Sequence, residues 1–384
     1  MQDLSKSLAR LKQQHRYRQV KTRLGPQDHT IEVNGQRLLN FCSNDYLGLS
    51  NHPKVLDAFI TAAKHYGVGS GASHLINGHT DAHDKLERAL AKWSGREKAL
   101  LYSTGYMANL GIASGLLNAQ SAVFEDRLNH ASLIDAGLMA KSRFKRFAHL
   151  DMQALEKQLS QSEARTKMIM TDGIFSMDGD AAPLAKLSQL AQKYQAWLMV
   201  DDAHGVGLLG DTGAGLVEQA QLNSADVPIL VYTFGKAIGT SGACVVGDAD
   251  LIDTLVQHSR SYVYTTAMPP AIAAATEQSI QIIQTETWRK QQLHDNIALF
   301  KQLLQEHNIS TQSDSAIQPI LIGSDENALA ASQALNNAGI MVSAIRPPTV
   351  PEGTARLRIT LSAFHQTTHI EQLVDVLSQI KGLQ

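Results

Sequence analysis

A lone lysine follows the apolar run of ILVYTFGKAIGTSGA, residues 229–243, and small residues come after it. An ammonium at the end of a buried strand, with little water around it, gives up its proton more readily and can form a Schiff base with a carbonyl group. Three other stretches put reactive side chains at comparable points. WLMV is followed by Asp201, Asp202 and His204; SAVFED by Arg127, Leu128, Asn129 and His130; KALLYS by Thr104, Gly105 and Tyr106, with a helical pattern opening near Met107. Free N–H groups and the dipole at such a helix start form an anion site suited to a phosphate. Taken singly, each residue has a plainer use: Asp201 as a helix N-cap, His130 as a satisfied structural histidine, Lys236 as a phosphate clamp. The Walker spacing fails for Lys236, because position 230 is leucine and Ala237 follows the lysine, and no strand-to-helix turn carries GxGxxG. A nucleotide P-loop and a nicotinamide dehydrogenase are both disfavoured.

The elements that must position these residues follow from periodicity. Between about residues 50 and 280, the short apolar runs KALLYS, SAVFED, KMIMTDG, WLMVDDA, ILVYTFG and GACVVG alternate with segments such as AHDKLERALAKWSG, whose apolar residues recur at helical spacing. That alternation predicts an α/β domain whose mostly parallel sheet is covered by helices on both faces. Ligands of open α/β sheets bind at the carboxyl ends of the strands, which is where the reactive residues fall. Ahead of this region lies a helical leader and a hairpin, HTIEVNGQRLLNF, with its turn at Asn34-Gly35. Beyond Trp288 the pattern becomes a smaller α+β domain. The expected division is 1–48 for the N-terminal helix and hairpin, 49–284 for the large α/β domain and 285–384 for the C-terminal one.

Composition narrows the function classes. The 384 residues carry 34 Lys+Arg against 36 Asp+Glu, which offers no electrostatic footprint for nucleic acid or a membrane surface. No apolar stretch approaches 18 residues and the N-terminus has no apolar core of a signal peptide, so a soluble, cytoplasmic protein is expected. Cys42 and Cys244 are far apart and lack a CxxC or His-rich setting; buried free thiols are expected, with no disulfide framework and no metal centre.

Together the residues fit one chemistry. A Schiff-base lysine, a carboxylate to keep a pyridine nitrogen protonated, an imidazole to stack on a ring and a helix start for a phosphate are the requirements of pyridoxal 5'-phosphate. The chain also resembles a family. FCSNDYLGLS, DRLNHASLIDA, GIFSMDGDAAPL, WLMVDDAHGVGLLG, TFGKAIGTSG and PPTVPEGTARLRITLS are similar, in order and over nearly the whole chain, to the fold-type-I α-oxoamine synthases. These enzymes condense an amino acid with an acyl thioester and release carbon dioxide and the thiol. The stretch AIRPPTVPEGTARLR is closest to members of the biotin pathway that join L-alanine to a pimeloyl thioester, carried on coenzyme A or on acyl-carrier protein. Glycine-using relatives usually have Tyr-Pro where Pro347-Pro348 stands; glycine C-acetyltransferase or another α-oxoamine synthase is the alternative.

The resemblance also implies roles. Lys236 holds the cofactor and then serves as the base at the substrate Cα. Asp201 pairs with the ring nitrogen, His204 binds the phenolic oxygen, and His130 stacks on the ring and orients the substrate. Thr104, Gly105, Tyr106 and Thr233 take the phosphate, with Ser176 near the ring. Thr265 or Thr266 supplies a hydroxyl to the neighbouring subunit's phosphate, which makes the homodimer obligatory. Arg356 and Arg358 alternate on a strand and share a face, so the residues alone leave open which meets the alanine carboxylate; the motif favours Arg358 with Asn44, Arg356 then being a structural ion-pair partner, and Arg18 and Thr349 touch the acyl substrate. His74 departs from the pattern, standing where relatives often have Gly or Arg.

Overall fold

The six apolar runs between residues 98 and 247 all become strands in the computed structural model, which describes residues 4–380; the ends of the expected terminal segments, 1–3 and 381–384, lie outside the described residues. Lys98–Tyr102, Ser121–Asp126, Thr166–Asp172, Ala196–Asp201, Ile229–Thr233 and Ala243–Gly247 are joined by Arg143–Phe147 in a seven-stranded sheet. Its order from one edge is 98–102, 243–247, 229–233, 196–201, 166–172, 121–126, 143–147. Ala243–Gly247 runs antiparallel to both neighbours and the other strands share one direction. Strands covered on both faces need no polar side, and accordingly every residue of Ser121–Asp126 and of Ala243–Gly247 is buried. The shared direction brings the ends Tyr102, Asp126, Asp172, Asp201 and Thr233 to one edge of the sheet.

By packing, the chain divides into two units. One comprises 52–175 and 181–287 and holds this sheet; the other comprises the chain up to Asn51, the short stretch 176–180 and the chain from Trp288 onward. The N-terminal hairpin is thus part of the second unit. Its strands Thr30–Val33 and Gln36–Asn40 turn through Asn34 and Gly35, whose φ values of 53° and 78° are the left-handed pair that a tight hairpin requires. Ile340–Met341 adds to Gln36–Asn40 in parallel, and the carbonyls of Gly339 and Met341 accept from the N–H groups of Leu39 and Phe41 at 2.8 and 3.0 Å. A second sheet in this unit sets Ala355–Thr360 between Ile317–Gly323 and Ser343–Ile345, all antiparallel. The helices Leu4–Gln13, Trp288–Glu306, Asp325–Asn337 and Thr367–Ser378 also belong to this unit.

Both cysteines are free. Cys244 is fully buried in Ala243–Gly247; Cys42 is half-buried, its thiol donating to the Met341 carbonyl at 3.3 Å, and burial pushes both thiol pKa values up. Among the described residues no helix is long and apolar enough to cross a membrane.

Candidate active site

In the unit that holds the large sheet, the strand Ile229–Thr233 delivers Lys236 on a loop closed by Phe234 N–H donating to the Gly242 carbonyl and Thr240 N–H donating to the Phe234 carbonyl. Lys236 is half-buried, with Nζ 3.5 Å from Thr233 Oγ1. Thr233 in turn meets a helix start. A Cβ on Gly105 would lie 2.5 Å from Thr233 Cγ2, so glycine is what allows the helix Gly105–Leu116 to begin this close to the threonine. Thr104 caps that helix, Oγ1 accepting from Met107 N–H at 3.2 Å, and the N–H groups of Gly105 and Tyr106 find no acceptor among the described residues. Unpaired donors at a helix start, beside the Thr233 hydroxyl, form an anion site.

Asp201 ends the neighbouring strand and is 5 % exposed. Its Oδ2 accepts from Asn109 Nδ2 at 2.7 Å and its Oδ1 from Ala203 N–H at 3.2 Å, so the carboxylate is fixed on both sides. Asn109 also donates to Ser132 Oγ at 2.8 Å, and that residue's backbone N–H donates to His130 Nδ1 at 3.2 Å. With Nδ1 accepting, the neutral imidazole carries its proton on Nε2. Desolvation lowers the His130 pKa, the Lys236 charge acts in the same direction and Asp201 opposes them. Tyr106 turns an edge to the His130 ring, centroids 6.4 Å apart, and its hydroxyl donates to Asp135. His204 is buried just beyond Asp201. Asp202 serves the backbone instead: its Oδ2 accepts from Leu216 N–H at 2.6 Å, and burial raises its pKa well above the carboxylate range.

Two further residues belong to this cluster. Asp172 ends the next strand in register with Asp201 and accepts from His130 N–H at 2.6 Å; burial first, and then the Asp201 charge, pushes its pKa well up. Asn109 is the polar residue buried on an otherwise apolar helix face, between Ala108 and Gly111. The sequence shows only the residue types, an acid closing KMIMTD and an amide inside YMANLGIA, without the distant partners that give them a role. Thr266 lies elsewhere in the unit, bridged to Ser73; Thr265 is half-buried beside it.

The other unit holds the remaining predicted residues. Arg356 and Arg358 alternate on Ala355–Thr360, are 6 % and 8 % exposed and share a face. Arg356 forms an ion pair with Asp178. Arg358 has no carboxylate partner among the described residues; its Nε donates to the Ser176 carbonyl at 2.6 Å, and Nη1 and Nη2 both donate to Asn44 Oδ1 at 3.2 Å. Arg18 Nη2 donates to Thr349 Oγ1 at 3.1 Å, both exposed.

These residues fit pyridoxal 5'-phosphate: an amine at a strand end, a buried carboxylate held by an amide, an imidazole in a single tautomer, and backbone donors with a hydroxyl for a phosphate. Fold and site together define a fold-type-I pyridoxal-phosphate enzyme. Residues 36–377 match the family model described as aminotransferase class I and II. The chain is 52 % identical over 381 residues to the 8-amino-7-oxononanoate synthase of Saccharophagus degradans, with 98 % of this chain and 96 % of the relative covered. Among solved structures it is similar to a serine palmitoyltransferase with its pyridoxal-phosphate internal aldimine (TM-score 0.93, 28 % identity, 98 % of both chains). It is also similar to the 8-amino-7-oxononanoate synthase of Francisella tularensis (TM-score 0.78, 29 % identity, 89 % of this chain and 97 % of the other). The chain belongs to the 8-amino-7-oxononanoate synthase family of pyridoxal-phosphate-dependent acyltransferases.

Proposed function

We propose that this enzyme condenses L-alanine with a pimeloyl thioester, giving 8-amino-7-oxononanoate, carbon dioxide and the free thiol of coenzyme A or of an acyl-carrier protein. The observation that carries the reading is Arg358, a buried guanidinium oriented by Asn44 and the Ser176 carbonyl and lacking a carboxylate partner among the described residues. Such a fork matches the carboxylate of an amino acid in a bidentate way. The acyl half is supported by the product for which the relatives are named.

When bound, pyridoxal phosphate supplies a carbonyl for the substrate amine and a ring that accepts the electron pair left on Cα. Lys236 Nζ would hold that carbonyl in the resting enzyme. With the cofactor bound, Lys236 Nζ would also be the base that takes up and returns the proton at the alanine Cα. Asp201, held by Asn109, keeps a proton on the ring nitrogen, while His204 binds the phenolic oxygen. His130 would stack on the ring and orient the substrate through its Nε2–H. Gly105 and Tyr106 N–H with the Thr104 and Thr233 hydroxyls bind the phosphate, and Arg18 with Thr349 binds the acyl donor. The enzyme works as a homodimer in the cytoplasm, Thr265 or Thr266 reaching the phosphate of the partner subunit.

The test is thiol release from pimeloyl-coenzyme A, pimeloyl carrier protein and acetyl-coenzyme A, each offered with L-alanine, glycine or L-serine. Release restricted to alanine with the seven-carbon donor is the expected result; preference for glycine with acetyl-coenzyme A would overturn the substrates. Lys236→Ala should lose the visible absorbance of the bound cofactor and nearly all turnover, and normal turnover would sink its assignment. Shared sites have their own check. Mixing inactive Lys236→Ala and Thr265→Ala/Thr266→Ala subunits should restore activity in the hybrid, whereas no gain over either parent would place the threonines in their own subunit's site.

A further inference from the structure

The turn between the short π-helical segment His74–Gly78 and the helix Asp81–Ser94 brings three possible metal ligands together. His79 Nε2 is 3.1 Å from Asp84 Oδ1 and 3.9 Å from Glu87 Oε2. Asp84 and Glu87 are three residues apart on one helix and so share a face, with His79 just ahead of the cap Thr80. A zinc ion with ligands at about 2.0–2.2 Å sets tetrahedral ligand atoms roughly 3.4 Å apart, between the two separations found here.

Each of the three side chains is held by an atom that would not touch the ion. His79 Nδ1 is 2.8 Å from His74 Nδ1, and one of these nitrogens must donate to the other. When His79 donates, its Nε2 turns a lone pair toward the two carboxylates. Asp84 Oδ2 accepts from Arg88 Nη1 at 3.4 Å, leaving Oδ1 toward His79. Glu87 Oε1 accepts from Leu101 N–H at 3.3 Å, leaving Oε2 toward the same point. Outer partners that orient a histidine and two carboxylates in this way are the second layer of a metal site. His74 is itself fixed by stacking on Tyr262, with centroids 4.9 Å apart and planes at 13°. His83 is excluded as a ligand, since Nδ1 accepts from Thr80 N–H at 3.0 Å and Nε2 donates to the Met268 carbonyl at 2.7 Å. A groove of ≈ 580 Å³, lined also by Leu75, Lys98 and Val256, leads from solvent to the three ligands.

We propose that His79, Asp84 and Glu87 bind a divalent transition-metal cation such as zinc, with positions left for water and with His74 as the positioning residue for His79. The two carboxylates balance the charge of the ion, and imidazole with carboxylate ligation suits zinc. The site is separate from the residues assigned to the condensation.

The test uses the pyridoxal-phosphate-loaded enzyme, freed of metal with a chelator and titrated with zinc against a chromogenic zinc indicator. Native protein is expected to take up one ion per chain at this site, and His79→Ala or Asp84→Ala to weaken that uptake at least roughly tenfold, within the range for loss of a metal-site partner. His74→Phe, which keeps a ring against Tyr262, should weaken it too. Cobalt offers a second readout, with visible bands in the native protein that His79→Ala lacks. Equal zinc affinity in native, His79→Ala and Asp84→Ala proteins would overturn the proposal. So would no uptake by the native protein, which would leave His79 as an ion-pair partner only.

Discussion

Arg356 and Arg358 leave the same face of one strand, yet the first meets Asp178 and the second meets an amide oxygen and a carbonyl. Arg358→Lys keeps the charge but loses the fork, so the KM for alanine should rise about tenfold or more with a smaller change in kcat. Steady-state kinetics at varied alanine decide this, and an unchanged KM would remove Arg358 from the substrate site. Asn109→Ala takes a hydrogen bond from a buried carboxylate, a loss of about 1.5–3 kcal/mol for bonds to charged groups. Equilibrium dialysis should then show pyridoxal phosphate binding weakened by about tenfold or more. Lys236 and Asp201 could be singled out in the sequence because each stands at the end of an apolar run, and the structure places both at or just past strand ends on the same edge of the sheet. Asn109 and Asp172 were not, because their value lies in partners distant in sequence: Asn109 reaches Asp201 across 92 positions and Asp172 meets His130 across 42.

Elements were legible where burial is two-sided, since such strands read as unbroken apolar runs. Arg143–Phe147 escaped that reading. Its sequence RFKRF is interrupted by cations that suit an edge strand, where charge discourages pairing with another chain. The segment after Ala355–Thr360 carries a prediction of its own. His365 accepts from Ser362 N–H at 3.1 Å, donates to the Asn40 carbonyl at 3.1 Å and stacks on Phe41 with centroids 4.1 Å apart. Burial lowers its pKa from 6.5 to about 3. The unfolded chain therefore takes up a proton below pH 6.5 that the folded chain refuses until about pH 3, so stability is lost as pH falls through that window. One such group contributes a slope approaching about 1.4 kcal/mol per pH unit. Urea unfolding between pH 7 and pH 4 should show the decline, and His365→Asn should flatten it; equal slopes would remove His365 as the cause.

At the scale of the whole molecule, the chain passes between the two units at 51/52, 175/176, 180/181 and 287/288, so neither unit is one continuous segment. This partition was not legible in the sequence, which suggested three consecutive parts. It depends on Ile340–Met341 pairing with Gln36–Asn40 and on Asp178 and Ser176 meeting Arg356 and Arg358, contacts between segments with no common sequence signal. A fragment of residues 288–384 leaves those partners behind. It should lack native tertiary structure by near-ultraviolet circular dichroism and amide exchange, and a fragment with native protection would show that the partition is not one of folding.

The two cysteines extend this to time. Cys244 lies fully buried in the sheet of one unit and Cys42, half-buried, is hydrogen-bonded beside Met341 and Ser343 in the other, so full reactivity of each thiol waits on the parting of its own surroundings. Timed alkylation read by mass spectrometry would follow each site separately, since local opening sets the labelling rate of a protected group. The native chain thus carries two clocks, one for the opening of each unit.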